Sequence, residues 1–96
     1  MKNLIVITGT TGSGKTQLAK LIAEAWIGRK EPFHVFDNID LHGKPGKRAA
    51  LRSALDMCAG NVIVVLNEPY EVVLNELYER RIFPIIPDRI IEVRKG

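Results

Sequence analysis

Cys58 is the only cysteine in the 96-residue chain, so an internal disulfide is excluded and a thiolate metal site lacks companion ligands. Its place in an apolar helical stripe predicts a buried core thiol. Long apolar runs are missing as well. None approaches the ~18 residues of a membrane-crossing helix, and the short apolar run after Lys2 falls below the length of a secretory core. The chain is therefore expected to be cytoplasmic, with no membrane partner. It contains no repeat, low-complexity tract or Pro/Ser-rich linker, which predicts a single domain over 1–96 with no residues left for a lid. Neither sign of charge dominates: 14 Lys and Arg against 11 Asp and Glu leave +3, which is compatible with an anionic partner and identifies none. A hydrophobic content of 46% is ample for one core.

Glycine, by contrast, is concentrated. Gly9-Thr10-Thr11-Gly12-Ser13-Gly14-Lys15-Thr16 lies between the apolar run Leu4-Ile5-Val6-Ile7 and a helix-periodic segment. The spacing G-x-x-x-x-G-K-[ST] reads as a phosphate cradle: backbone N–H groups turn inward around a pyrophosphate where no side chain obstructs them. Lys15 is placed to reach β- and γ-phosphates and Thr16 to offer a hydroxyl to Mg²⁺, with the helix N-terminus adding partial positive charge. Residues 9–17, Gln17 included, are the expected nucleotide-binding set.

Leu4 to Thr8 is a β-branched run of the kind found in parallel strands covered on both faces. Leu18, Leu21, Ile22 and Ala25 then recur at helical spacing until Gly28 and Pro32 stop the helix. Phe33 to Asp37 is a second strand that ends in Asp37, Asn38 and Asp40. A carboxylate at the carboxyl end of a parallel strand shares the rim of the Gly-rich loop, so Asp37 is a candidate Mg²⁺-holding group acting through water. His34, mid-strand with no partner nearby in sequence, is expected to be structural. Residues 42–48, His-Gly-Lys-Pro-Gly-Lys-Arg, read as a basic loop, either solvated or able to meet nucleic-acid phosphates. Ala50, Leu51, Ala54, Leu55 and Cys58 mark a helix ended by Gly60. Val62 to Leu66, the most hydrophobic strand, terminates in Asn67-Glu68-Pro69. Tyr70, Val73, Leu74, Leu77 and Tyr78 form a third helical stripe with Arg80 and Arg81 in its last turn, and residues 89–94 close the chain as a strand. This alternation predicts an α/β fold, a doubly wound parallel four-stranded sheet with helices on both faces. The two continuous apolar runs should be central, giving the strand order 4-1-3-2.

The stretch 9–16 resembles the Walker A region of the P-loop NTPases. The run Val62 to Pro69, the helix after it, Arg80-Arg81-Ile82-Phe83 and the last strand resemble the sensor-1 region of AAA+ ATPases and superfamily 3 helicases. The resemblance implies an ATP- and Mg²⁺-binding ATPase core, helicase-like or DNA-processing, that works in a homo-oligomer. It implies Asp37 as Walker B, Asn67 as the group orienting the attacking water, and Arg80 or Arg81 as a finger on a neighbour's nucleotide. Asn38 stands where many members carry the catalytic Glu. A second assignment makes Val62 to Leu66 the Walker B strand, with Asn67 replacing its aspartate and Glu68 as catalytic base. Both put Asn67 and Glu68 beside the γ-phosphate, with Lys15 the only cation of the loop, so an isolated chain is expected to hydrolyse ATP slowly. No N-K-x-D guanine-reading sequence occurs, which tilts the base toward adenine. A nucleotide or nucleoside kinase, and a non-hydrolysing ATP-binding module, are the alternatives.

Overall fold

The computed structural model describes residues 2–9, 14–41, 46–79 and 82–94, with the side chain of Glu79 outside that set. Strands and helices alternate: β1 (Asn3–Gly9), α1 (Lys15–Gly28), β2 (Phe33–Ile39), α2 (Gly46–Asp56), β3 (Asn61–Leu66), α3 (Tyr70–Glu79) and β4 (Arg89–Val93). The four strands form one parallel sheet in the order β2-β3-β1-β4. Counted from the β4 edge, the same order is 4-1-3-2. β3 is buried at all six positions, because a central strand covered on both faces has no side chain facing water.

Successive side chains of a strand point to opposite faces, and the two faces carry separate cores. Leu4 and Val6 of β1, with Val62, Val64 and Leu66 of β3, pack against Leu51 and Leu55 of α2 and Val73 of α3. Ile7, Ile63 and Val65 pack against Ala19, Ala23 and Trp26 of α1. The chain steps from β1 across β3 to β2 with α1 on one face, then returns through β3 to β4 with α2 and α3 on the other. Changing face together with direction is what the right-handed crossover rule demands.

Three local readings need correction. The apolar spacing pointed α1 inward through Leu18, Leu21, Ile22 and Ala25. Instead Lys15, Ala19, Ala23 and Trp26 are buried, Leu18 and Ile22 flank them, and Leu21 is 64% exposed. The two alanines bring the helix close to the sheet, and Trp26 meets the ring of Phe33 at 6.1 Å between centroids. Second, α2 ends at Asp56, so Cys58 lies beyond the helix, half-buried at the edge of the core, its thiol donating to the Ala54 carbonyl at 3.2 Å. Third, β2 continues through Ile39 and contains a bulge. Phe36 pairs with Val64 and Ile39 with Leu66, three steps on one strand for two on the other. Phe36 and Ile39 both pack on the α2 side of the sheet, which a regular strand cannot arrange for residues three apart. Asn38 supplies the extra residue, with a left-handed backbone of φ 56°.

Among the described residues, no helix is long and apolar enough to cross a membrane.

Candidate functional site

Parallel strands end on a common rim, and here the chain leaves β1 and β3 on opposite faces, through α1 and α3. That divergence opens a crevice between their carboxyl ends. A cleft of about 440 Å³ lies there, and it gathers Gly14, Lys15, Thr16, Gln17, Asp37 and Asn67 from the sequence-predicted set, with Asn38 and Val65. Thr10, Thr11, Gly12 and Ser13 lie outside the described residues, as do Arg80 and Arg81.

Gly14 caps α1 in a left-handed conformation, φ 95° and ψ 15°, without a side-chain cap bond; only glycine adopts this at low cost. Gly9, at the end of β1, has φ 148°. The first intrahelical bond of α1 runs from the Leu18 N–H to the Gly14 carbonyl at 3.2 Å. Gly14, Lys15, Thr16 and Gln17 all line the cleft, so the positive end of the helix lies at its edge. Lys15 is only 5% exposed. Burial pushes its ammonium below the usual lysine value, and attraction to Asp37 and then Asp40 opposes that shift.

The Thr16 hydroxyl donates to both carboxylate oxygens of Asp37, at 3.3 and 3.2 Å. Its proton is spent on the carboxylate, leaving the hydroxyl lone pairs available to a cation. One hydroxyl and one carboxylate suit a hard ion that keeps most of its ligands as water or phosphate oxygen, as Mg²⁺ does. A protein-built cage is not the alternative, since no group of three or more His, Cys, Asp or Glu side chains converges among the described residues. The Asp37 Oδ1 also accepts the Asn38 N–H at 2.8 Å, and the Asn38 amide oxygen accepts from the Asn67 Nδ2 at 2.6 Å. Asn67 is tied to the same strand by its own N–H, which donates to the Ile39 carbonyl at 2.9 Å.

Glu68, expected beside Asn67 as a base, does not line the cleft. Its side chain is fully buried, and its Oε1 accepts the Leu41 N–H at 2.7 Å. Its backbone carbonyl accepts the buried Thr8 hydroxyl at 2.9 Å. Glu68 therefore binds the end of β3 to the end of β1 and to the chain leaving β2. The loop reading of 42–48 also changes: 42–45 lie outside the described residues, while Gly46, Lys47 and Arg48 form the first turn of α2. Lys47 is exposed, but the Arg48 Nε is paired with the Glu76 Oε1 at 2.6 Å. Sequence reasoning missed the placement of Thr8 and Asn38. A hydroxyl closing an otherwise apolar strand was the available signal for Thr8; Asn38 had none, because its role depends on the bulge. His34 is exposed on β2 and is not among the described residues that line the cleft.

A larger concavity, about 870 Å³, lies between the end of α3 and the 83–86 segment. Its described lining is Leu74, Leu77, Tyr78, Phe83 and the prolyl-isoleucine run, with no charged side chain among these residues. Comparison with protein-family models, curated proteins and solved structures gives no match.

Proposed function

We propose that this chain is a P-loop nucleoside-triphosphate-binding protein that holds ATP with Mg²⁺ and hydrolyses it slowly, as the ATPase core of a helicase-like or DNA-processing assembly. The observation that carries the reading is the Thr16–Asp37 contact beside the buried Lys15, at the start of a helix whose first residues line the cleft. The Lys15 ammonium and the N–H groups from Lys15 to Gln17 bind the β- and γ-phosphates, a charge-dense ligand that water alone solvates less specifically. Thr16 and Asp37 would hold Mg²⁺, which supplies charge neutralisation at the phosphates when bound.

Slow turnover is what the lining residues support. Asp37 is its only carboxylate, and it already accepts from Thr16 and from the Asn38 N–H. Asn67 and Asn38 are amides, which orient water without taking its proton. Lys15 is the only cation among the described lining residues. The developing charge then needs a further cation, in this reading Arg80 or Arg81 of a second copy, an addition worth roughly 10³ or more in rate. Titration calorimetry with ATP, in Mg²⁺ and in EDTA, tests the binding: Asp37→Asn and Thr16→Ala should remove the Mg²⁺ effect and Lys15→Ala most of the affinity. Turnover per chain should rise with protein concentration, and a flat profile insensitive to Arg80→Ala and Arg81→Ala would refute the shared site.

One observation favours a second reading, phosphoryl transfer to a small acceptor. A pocket of about 330 Å³ adjoins the cleft across Asn38, floored by Phe36, Ile39 and Leu51 with Asp40 and Lys47 among its lining. A nucleoside panel in the turnover assay separates the two, because a kinase consumes ATP only with its acceptor present.

A further inference from the structure

Two described residues other than glycine have positive φ, Lys30 at 59° and Asn38 at 56°. Lys30 is explained by the end of α1, where the N–H groups of Lys30 and Glu31 return to the carbonyls of Ile27 and Trp26 in the manner of a left-handed helix stop. Asn38 ends no helix. It sits inside β2, one residue after Asp37, and strained backbone in a strand at a cleft is a reason to ask what the strain accomplishes.

In a regular strand Asn38 would share a face with Phe36, toward the apolar core on the α2 side. The left-handed turn has two results. Ile39 takes the core position, packed with Phe36, and Asn38 is left at the rim, where it lines the cleft. From there its N–H reaches the Asp37 Oδ1 at 2.8 Å and its amide oxygen accepts from Asn67 at 2.6 Å. Burial of Ile39 accounts for a bulge but not for either of these bonds. Each of the two freezes a cleft side chain: one holds the carboxylate that meets Thr16, the other holds the amide at the end of β3.

We propose that Asn38 is a positioning residue for the cation site. Its left-handed backbone directs the N–H that pins the Asp37 carboxylate toward Thr16, and its amide locks Asn67 to the same unit. The proposal rests on the reading that Thr16 and Asp37 hold a divalent ion, and it assigns the backbone of Asn38, rather than its side chain, the larger share in tuning that ion's binding. Asparagine is suited to this, since it tolerates the left-handed region where β-branched residues do not.

The test separates backbone from side chain. Asn38→Gly keeps the left-handed conformation and loses the amide; Asn38→Val removes both; Asn38→Ala removes the amide and only disfavours the conformation. The readout is the ratio of ATP affinities in Mg²⁺ and in EDTA, measured by calorimetry on the full chain. Asn38→Gly should keep the wild-type ratio. Asn38→Val should lose about 10–100-fold of it, the usual cost of removing a group that orients a metal ligand. If circular dichroism shows Asn38→Val unfolded, Asn38→Ala takes its place and should fall between. A second readout needs no nucleotide: ¹H–¹⁵N spectra should show the Thr16 resonances shifted in Asn38→Val and retained in Asn38→Gly, with the Asn67 side-chain amide shifted in both. Equal ratios in all three variants, or Asn38→Gly as defective as Asn38→Val, would overturn the proposal. A wild-type protein indifferent to Mg²⁺ would instead refute the cation reading, while the Thr16 shifts would still decide whether Asn38 positions Asp37.

Discussion

Lys15→Met is expected to move ligand affinity and stability in opposite directions. The wild-type ammonium is nearly buried, and desolvation outweighs its attraction to Asp37 and Asp40, so its folded value lies below the ordinary 10.5. In the pH window between the folded value and 10.5 the unfolded chain binds the extra proton, and stability rises with pH. Below the folded value the penalty for burying the charge is fully present. Methionine keeps most of the aliphatic stem and removes that penalty. Relief of a functional strain of this kind commonly gains about 0.5–2 kcal/mol, or roughly 2–16 °C in a chain of this size. Loss of a charge-assisted hydrogen bond to phosphate costs about 1.5–3 kcal/mol, a rise of about 10–150-fold in Kd for ATP. Thermal melting of the nucleotide-free protein at neutral pH and titration calorimetry read the two effects separately, and the gain in melting temperature should shrink as pH is raised toward the lysine range. A variant that melts lower and binds ATP as well as wild type would refute both the burial argument and the phosphate-binding role.

Three further outcomes follow from particular contacts. Glu68→Gln should leave ATP turnover unchanged and cost about 1 kcal/mol in urea unfolding, since an amide oxygen can still accept the Leu41 N–H; a fall in turnover of about 100-fold or more would return Glu68 to catalysis as a base. Gly60→Ala places a Cβ 2.7 Å from the Pro32 carbonyl oxygen at a φ of +82°, and that oxygen accepts the Asn61 N–H. Left-handed strain of about 1–2 kcal/mol plus a weakened hydrogen bond of about 0.5–1.5 kcal/mol should lower the melting temperature by roughly 6–28 °C, with ATP affinity retained by the folded fraction. Arg48→Met strands the buried Glu76 carboxylate at about 1–3 kcal/mol, and adding Glu76→Leu should recover most of that loss in the same unfolding assay.

How much of this was legible in the sequence depended on whether local pattern or tertiary packing decided the outcome. β1 and β3 announce themselves as central because apolar residues occupy both faces of each, and the Gly-rich spacing before Lys15 and Thr16 marks the rim on which the cleft lies. The inward face of α1 was not legible, because Ala19 and Ala23 carry little hydrophobic signal and are chosen for close approach to the sheet. Lys47 and Arg48 follow Pro45 and Gly46 and read as loop by composition; the pairing of Arg48 with Glu76 on α3 holds them as a helical turn. Asn67 and Glu68 are adjacent polar residues after the same strand, and only the fold shows that Asn67 lines the cleft while Glu68 turns into the interior toward Leu41. The bulge escapes any periodicity argument, since the pattern alone cannot say whether Ile39 or Asn38 is to be buried.

The sheet order and the cleft are connected by one geometric fact. Asp37 lies near the carboxyl end of β2, which is not a neighbour of β1: β3 lies between them, so two strand spacings, about 9–10 Å, separate the backbone carrying Asp37 from the backbone leading into α1. Their side-chain partner is nevertheless within 3.2 Å. The contact exists because α1 must cross over β3 to deliver the chain to β2, which carries its first turn, with Thr16, above the intervening strand. Whatever ends β3 is therefore enclosed between the helix start and the carboxylate, and that residue is Asn67. The same crossing that makes the Thr16–Asp37 contact fixes an uncharged amide beside it, hydrogen-bonded to Asn38. Among the described lining residues Asp37 is the one carboxylate, so, if the chain acts as proposed, slow turnover is the expected consequence of which residue the topology places in the middle.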